Sequence, residues 1–402
     1  MKILLINKYH CLRGGAERAY LDMGEILTQA GHEVAYFAMQ DSQNLSTPWS
    51  RFFVTAVDYH REHSLWQKLR VALRIVWNHE ANKKLDALIQ EFEPDVVHLH
   101  NIYHQLSPSI LHVLKRYRIP TVMTLHDYKI VSPSYTLFAN DAIWKHTSGF
   151  RAIRDKVVDH SFSKSAVCAF EGWFHKLLGS YRGVDRLISP SHFLKNLCQE
   201  LGVKQEIAVI PNPLLHIPQN QFSQVPNRLL YVGRLSAEKG VAFLLQTLTE
   251  YAPNKYLRII GAGPELNFLK EKVQELKLGD RVEFCGALHG EDLDREVLSA
   301  EALIVPSLWY ENLPYVVTEN QARGVVVIAS ASGGVTERIH HGVNGYLFPI
   351  GDKKALGKIL EQLNPQDSES IRMQAKLDTR DLSPELFLER IEALYKELLK
   401  ED

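Results

Sequence analysis

The sequence predicts an α/β protein made of two doubly wound, parallel-sheet domains. Three observations carry that reading. Short apolar runs recur without polar alternation, the pattern of strands buried on both faces, and most lead through a glycine, proline or serine break into a helical period. The 402 residues exceed what one ordinary core organises. A polar, Gln/Asn-rich stretch from Pro218 to Pro226 separates two such alternations and reads as a linker. The expected domains are 1–219 and 227–378, with 379–402 as a C-terminal helix packing back across the junction.

In the first half, MKILLIN is a buried strand and Arg13-Gly14-Gly15-Ala16-Glu17-Arg18 leads into a helix ending near Ala30. A strand, a glycine pair and a helix start let backbone N–H groups approach a phosphate or carbohydrate oxygen, although the same residues also make a plain tight turn. The G-x-G-x-x-G dinucleotide pattern is absent. Glu33–Met39 is a second strand, and a long helical region covers Ser64–Phe92. Within it, apolar residues at 66, 69, 73, 76 and 77 alternate with Lys68, Arg70 and Arg74. That basic amphipathic stripe could rest on anionic lipid or simply face the interior with its charges in solvent.

Asp95–Leu99 and Thr121–Leu125 are further strands, each followed by histidine. His98, His100 and His104 lack the carboxylate or cysteine that would complete a metal set. His126-Asp127 falls where a central strand ends, the position at which open α/β sheets bind ligands. There His126 could donate to a substrate hydroxyl while Asp127 orients it; a capping Asp beside a structural His is the alternative. Residues 130–182 lose periodicity and read as an insertion of helices or loops on the acceptor side. Order returns with the strand Val184–Ile188, a helix from Ser191 to Leu201, and the strand Ile207–Ile210.

In the second half, Arg228–Val232 is a strand ending in Gly233-Arg234-Leu235-Ser236-Ala237-Glu238-Lys239-Gly240. Arg and Lys five residues apart in a glycine-bounded loop can clamp a diphosphate from two sides. Gly261-Ala262-Gly263 follows the strand Tyr256–Ile260, but Leu266 stands where a nicotinamide fingerprint needs glycine. Arg281–Cys285, Ala302–Val305, Val325–Ala329 and Tyr346–Phe348 continue the sheet, and Ser332-Gly333-Gly334 is expected to open a helix. Between Ala302–Val305 and the next strand lies Ser307–Asn320, which places Glu311 in a turn, Pro314 at a helix start and Glu319 inside the helix. A carboxylate accepts from two hydroxyls at once, so this pair suits sugar diols beside a phosphate.

Charge is uneven along the chain. Residues up to 220 hold 25 Lys+Arg against 20 Asp+Glu and 15 of the 18 histidines, while the rest carries a net charge of −6. The basic front half suits an anionic partner such as a phospholipid surface or a lipid-linked phosphate. Four scattered cysteines without a C-x-x-C pair indicate a reducing compartment. No apolar stretch reaches the ~18 residues of a membrane span. The expected location is the cytoplasm or the inner face of the cytoplasmic membrane, with no nucleic-acid partner.

Taken together, these ordered motifs resemble family 4 of the retaining glycosyltransferases, whose fold is the two-domain GT-B arrangement with a cleft between the domains. The G-R-x4-K-G loop matches Gly233, Arg234, Lys239 and Gly240, and E-x7-E matches Glu311 and Glu319. The strand ending in histidine matches His126, and an HLHN-type segment matches Leu99-His100-Asn101. The resemblance implies that the first domain binds the acceptor and the second a nucleotide-diphosphate sugar. It assigns Arg234 and Lys239 to the leaving diphosphate, Glu319 to the ribose hydroxyls, and Glu311 with Asn312, Leu313 and Pro314 to the donor sugar. His126 would contact that sugar and Gly15 the phosphates or acceptor, with Gly14, His100, Asn101 and Asp127 on the acceptor side. No metal and no cofactor is implied, because the Arg/Lys pair takes the metal's place. The implied reaction is transfer of a sugar, with retention, to a glycan or lipid-linked acceptor in surface polysaccharide synthesis. An epimerase or phosphorolytic enzyme of the same fold, or a non-catalytic nucleotide-sugar binder, is the alternative. Asn320, Pro213 and Ser132 depart from the family pattern, where Ala, Gly and Cys are usual.

Overall fold

The computed structural model of the chain describes residues 1–57, 65–217, 222–363 and 368–400, so Ser64 and the first four residues of the Pro218–Pro226 linker lie outside it. The chain divides into two compact units. Met1–Ala139, Lys145–Pro213 and Pro384–Asp402 form the first, and Asn140–Trp144 with Leu214–Ser383 form the second. Each is built on one six-stranded parallel sheet, as the doubly wound α/β reading requires.

In the first unit the strands are β1 (Lys2–Ile6), β2 (Glu33–Phe37), β3 (Val96–Leu99), β4 (Thr121–Thr124), β5 (Arg186–Ser189) and β6 (Ile207–Val209). Their order is β2-β1-β3-β4-β5-β6, every pair parallel. Ile3, Leu4, Leu5 and Ile6 are all fully buried, because helices cover both faces of the sheet. The last helix, Pro384–Leu398, belongs to this unit. Its Tyr395 hydroxyl pairs with His98 Nδ1 at 2.6 Å and its Glu392 with His32 at 2.9 Å.

In the second unit β7 (Arg228–Val232), β8 (Tyr256–Ile260), β9 (Val282–Gly286), β10 (Ala302–Val305), β11 (Val327–Ser330) and β12 (Tyr346–Phe348) run in the order β9-β8-β7-β10-β11-β12. Alternate residues enter separate cores. Leu229, Tyr231, Ile259, Ile304 and Ile328 pack on one side, and Leu230, Ile260, Leu303, Val305 and Val327 on the other. Burying each such side chain contributes roughly 1.5–3 kcal/mol, so the two-sided burial explains the unbroken apolar runs.

Two details differ from expectation. The helical region ending at Phe92 is two helices, Leu65–Val76 and His79–Phe92. Asn78 separates them, since its side chain accepts from Ala81 N at 3.0 Å and donates to Gln105 O at 2.8 Å. The side chains of Lys68 and Leu69 lie outside the described residues. Ser332-Gly333-Gly334 opens no α-helix, only the single 3-10 turn Gly333–Glu337. The 130–182 segment holds helices at Gly149–Arg154 and Phe162–Leu178, within the reading of an insertion of helices or loops.

Candidate active site

In the second unit, the loops after β7, β8, β10 and β11 converge at the C-terminal edge of the sheet. Glycines set how closely they approach. A Cβ on Gly240 would lie 2.0 Å from Pro306 O, and one on Gly333 would lie 1.9 Å from Glu311 O. Both have left-handed φ, +71° and +57°, so a side chain there meets strain and collision together. The expected helix start at Gly333 is thus a backbone seat for Glu311. Gly334 N donates to Glu311 O at 2.8 Å and Glu311 N to Ser332 Oγ at 3.1 Å.

The side chain held there is buried, only 3% exposed. Glu311 Oε1 accepts from Lys239 Nζ at 2.7 Å and from Ser307 Oγ at 2.6 Å. Burial alone would push this carboxyl up, but the Lys239 charge and these hydrogen bonds outweigh it and hold it below the ordinary carboxylate range. Glu311 is therefore an anion at neutral pH, able to accept hydrogen bonds and unable to donate a proton. Lys239 also lies over the Trp309 ring, 4.9 Å from its centre. Leu308 N donates to Glu238 O at 2.8 Å, tying the two loops together by their backbones.

Arg234 shares the Lys239 loop but is exposed, and no carboxylate of the described residues pairs with it. Tyr231 OH donates to Arg234 O at 2.7 Å and fixes the backbone from which it projects. Gly233, at the head of the loop, has its N–H on Ile260 O at 3.0 Å. Pro314 precedes the helix Tyr315–Ala322 as its N-cap, one residue before the expected position. Leu313 is buried and Asn312 half-buried in the turn leading to it. Glu319 lies in that helix beside Arg323, at 3.5 Å, and Arg323 also reaches Asp294 at 3.4 Å.

The first unit gathers imidazoles instead. The His98, His100 and His126 rings stack, with centres 5.0 and 5.1 Å apart. His98 is fully satisfied by Tyr395 OH and by Thr124 Oγ1 at 2.7 Å. His100 Nδ1 meets His126 Nε2 at 2.8 Å. Burial, and for His126 also the Lys8 charge, pushes His98 and His126 down to about 3, so all carry no charge at neutral pH; His100 is likewise pushed down by burial and its neighbours. His100 Nε2 is buried without a partner among the described residues. A buried bare lone pair is the less costly of the two ways to leave it. That puts the His100 proton on Nδ1, donated to His126 Nε2, and leaves His126 with its own proton on Nδ1.

Asp127 does not orient His126. Its Oδ1 accepts from Lys129 N at 2.9 Å, so the carboxylate closes its own turn and His100 is the orienting partner. Asn101 is buried and its N–H donates to Asn7 Oδ1 at 3.1 Å. Gly14 is the N-cap of the helix Gly15–Gln29, and Glu17 is buried in its first turn. A carboxylate there disfavours phosphate and suits ligand hydroxyls. Among the described residues, no group of three or more His, Cys, Asp or Glu side chains is placed to hold a metal ion.

Sequence reasoning passed over Ser307, Trp309, Ser332 and the seat at Gly333. Ser307 stands just past the end of β10, in the same stretch as Glu311, which was the available signal. Nothing in the spacing announced that a glycine after the next strand would support that glutamate.

Comparison with known proteins adds an independent line. Residues 13–214 match Glycosyltransferase Family 4 and residues 215–377 match Glycosyl transferases group 1. An uncharacterized glycosyltransferase of Methanocaldococcus jannaschii is 26% identical over 67% of this chain and 66% of its own length. The matched stretch thus spans just under two thirds of that relative. An uncharacterized 42.6 kDa protein from the cps region of Klebsiella pneumoniae is 24% identical over 84% of this chain and 87% of its own. Among solved structures, sucrose-phosphate synthase of Thermosynechococcus elongatus superposes with a TM-score of 0.70 at 21% identity, covering 100% of both chains. Anabaena HepE in complex with UDP and glucose gives 0.64 at 20% identity over 99% of this chain and 100% of its own. These likenesses agree with the GT-B class of fold.

Proposed function

Because the chain belongs to Glycosyltransferase Family 4, we propose that it moves a sugar, with retention, from a nucleotide-diphosphate sugar to a glycan or lipid-linked acceptor in surface polysaccharide synthesis. The observation that carries this reading is the Lys239–Glu311 pair, with exposed Arg234 in the same loop. A diphosphate needs cations that arrive unneutralised, and Arg234 is such a cation. Lys239 is shared between Glu311 and an incoming ligand. Its charge and that of Arg234 stabilise the departing diphosphate, the main catalytic contribution we assign. Glu311, held as an anion, accepts hydroxyls of the donor sugar, and Glu319 accepts those of the ribose. Asn312, Leu313 and Pro314 offer backbone to the sugar.

The Anabaena structure holds UDP and glucose, which supports a nucleotide-sugar donor here. In the first unit, His126 is the neutral donor to a sugar oxygen, and Gly14, Gly15 and Asn101 serve the acceptor. The cationic pair makes a metal unnecessary in this scheme. The four cysteines are free thiols, in keeping with a reducing cytoplasmic setting. No helix of the described residues is long and apolar enough to cross a membrane. If the protein works at the inner membrane face, it does so peripherally.

The test is slow donor hydrolysis across UDP-, GDP-, ADP- and dTDP-sugars with EDTA present. Release of one nucleotide supports the transferase and fixes the donor. Binding of a nucleotide sugar with no transfer or hydrolysis, even with candidate acceptors, overturns it.

A further inference from the structure

The segment 130–182, opaque in sequence, builds a cavity of about 820 Å³ wholly inside the first unit. Phe150, Phe170 and Trp173 line it, together with Ile153, Ala166 and Ala169. These aromatics are not tucked away, being 77%, 51% and 58% exposed respectively. Large apolar side chains open to solvent around one cavity call for an apolar occupant.

The polar lining has one sign. Glu171 is the single carboxylate, and it is spent on Lys129, with which it forms a buried pair at 2.6 Å. The remaining charged lining residues are Lys176, Arg182 and Lys204, none of them ion-paired among the described residues. A hydrophobic wall beside three unneutralised cations matches an amphiphilic anion and little else. A free phosphate would leave the aromatics exposed, and a neutral lipid would leave the cations unanswered.

We infer that this cavity binds a long apolar chain ending in a phosphate, the lipid end of a lipid-linked acceptor. The inference rests on the transferase reading only for the identity of that occupant. The chain lies along Phe150, Phe170 and Trp173, and the phosphate is met by Lys176, Arg182 and Lys204.

The experiment titrates the full chain with n-decyl phosphate below its micellar range, following tryptophan fluorescence and calorimetry. Decanol, inorganic phosphate, and phosphatidylglycerol or phosphatidylcholine vesicles are parallel probes. Saturable decyl phosphate binding, at least tenfold tighter than either decanol or phosphate, is the expected result. The combined Lys176→Gln, Arg182→Gln, Lys204→Gln variant should lose at least tenfold in affinity, and Trp173→Ala should lose affinity for the chain. Donor hydrolysis should be unchanged in both, and it reports separately on the transferase reading. Equal binding of decanol, or of phosphate alone, overturns the inference. Binding to phosphatidylglycerol vesicles without binding of monomeric decyl phosphate also overturns it, making this face a bilayer contact. Unchanged affinity in the folded charge variant, judged by its thermal melt, does the same.

Discussion

The histidine stack of the first unit and the glutamate seat of the second treat titratable groups taken out of water in opposite ways. In the second, Glu311 is buried yet stays charged, because Lys239 and Ser307 offset the cost of removing it from water. In the first, His98 is buried and His126 half-buried, and both lose their charge, because their hydrogen-bond partners are a tyrosine, a threonine and another histidine. Burial is common to both. The neighbours decide which form survives. A charged centre suits a diphosphate leaving group, and a neutral column suits a hydrogen bond of fixed direction.

The largest test of the contrast is removal of the cations. Arg234→Ala is expected to lower turnover by about 10²–10³-fold, the usual cost of losing a transition-state charge. Lys239→Ala should cost at least as much and should also change the pH profile. Without Lys239, Glu311 remains buried with a weaker set of partners, so its pKa rises and the residual activity climbs with pH. Arg234→Ala has no such route to Glu311. Near-wild-type rates in both variants, or identical pH profiles, would remove the diphosphate assignment or the coupling respectively.

Acid stability sets the units apart next. Folded, His98, His104 and His126 bind protons only near pH 3 and His10 near 4, whereas unfolded they do so around 6.5. The unfolded chain therefore binds more protons between these limits, and stability falls as pH drops from 6.5 towards 3. Each such group contributes up to about 1.4 kcal/mol per pH unit across that window. Glu311 is shifted in the same direction, downward, but from a lower starting value. Its contribution is complete above the ordinary 4.5 and is lost as pH falls through its lower folded value. Hydrogen exchange at pH 7 and pH 5 should show β1, β3 and β4 losing protection while β7 and β10 keep it. Equal losses in both sheets would break the contrast.

A smaller effect tests the neutral column. His100→Leu removes the donor to His126 and should lower turnover about tenfold, the scale of one lost hydrogen bond in a buried network. His100→Asn, which places an amide N–H near the Nδ1 position, should recover part of it. Nitrogen NMR of His126 should report an Nδ1–H tautomer in the wild type and a mixture in His100→Leu. A mixture already present in the wild type would show that His100 orients nothing.

How far the sequence reaches follows from the same physics. Strands such as Ile3–Ile6 and Ala302–Val305 were legible because burial on both faces writes itself as unbroken apolar residues. Arg234, Lys239, Glu311 and Glu319 were legible as a spaced pattern of charges. Their support was not. Gly333 beneath Glu311 and His100 beside His126 come from other strands, and contacts between strands leave no local period. Residues 130–182 were illegible for another reason. The helix Phe162–Leu178 keeps Phe162, Phe170, Trp173 and Leu177 exposed and buries Ser165, Glu171 and His175, so its apolar residues do not mark a core-facing side.

Glu319 offers the mildest and most diagnostic change. It stands next to Arg323, which keeps Asp294 as a second partner, so Glu319→Ala leaves that guanidinium paired and the helix Tyr315–Ala322 in place. If Glu319 receives the ribose hydroxyls, it acts on bound donor and transition state alike. Its loss should then raise the donor KM by about tenfold while kcat hardly moves. Arg234→Ala should show the reverse split, because a developing charge is present only during bond breaking. Glu319→Gln, which keeps an acceptor oxygen and drops the charge, should fall between wild type and alanine. An unchanged KM in Glu319→Ala would mean that the ribose lies elsewhere along the edge of the sheet.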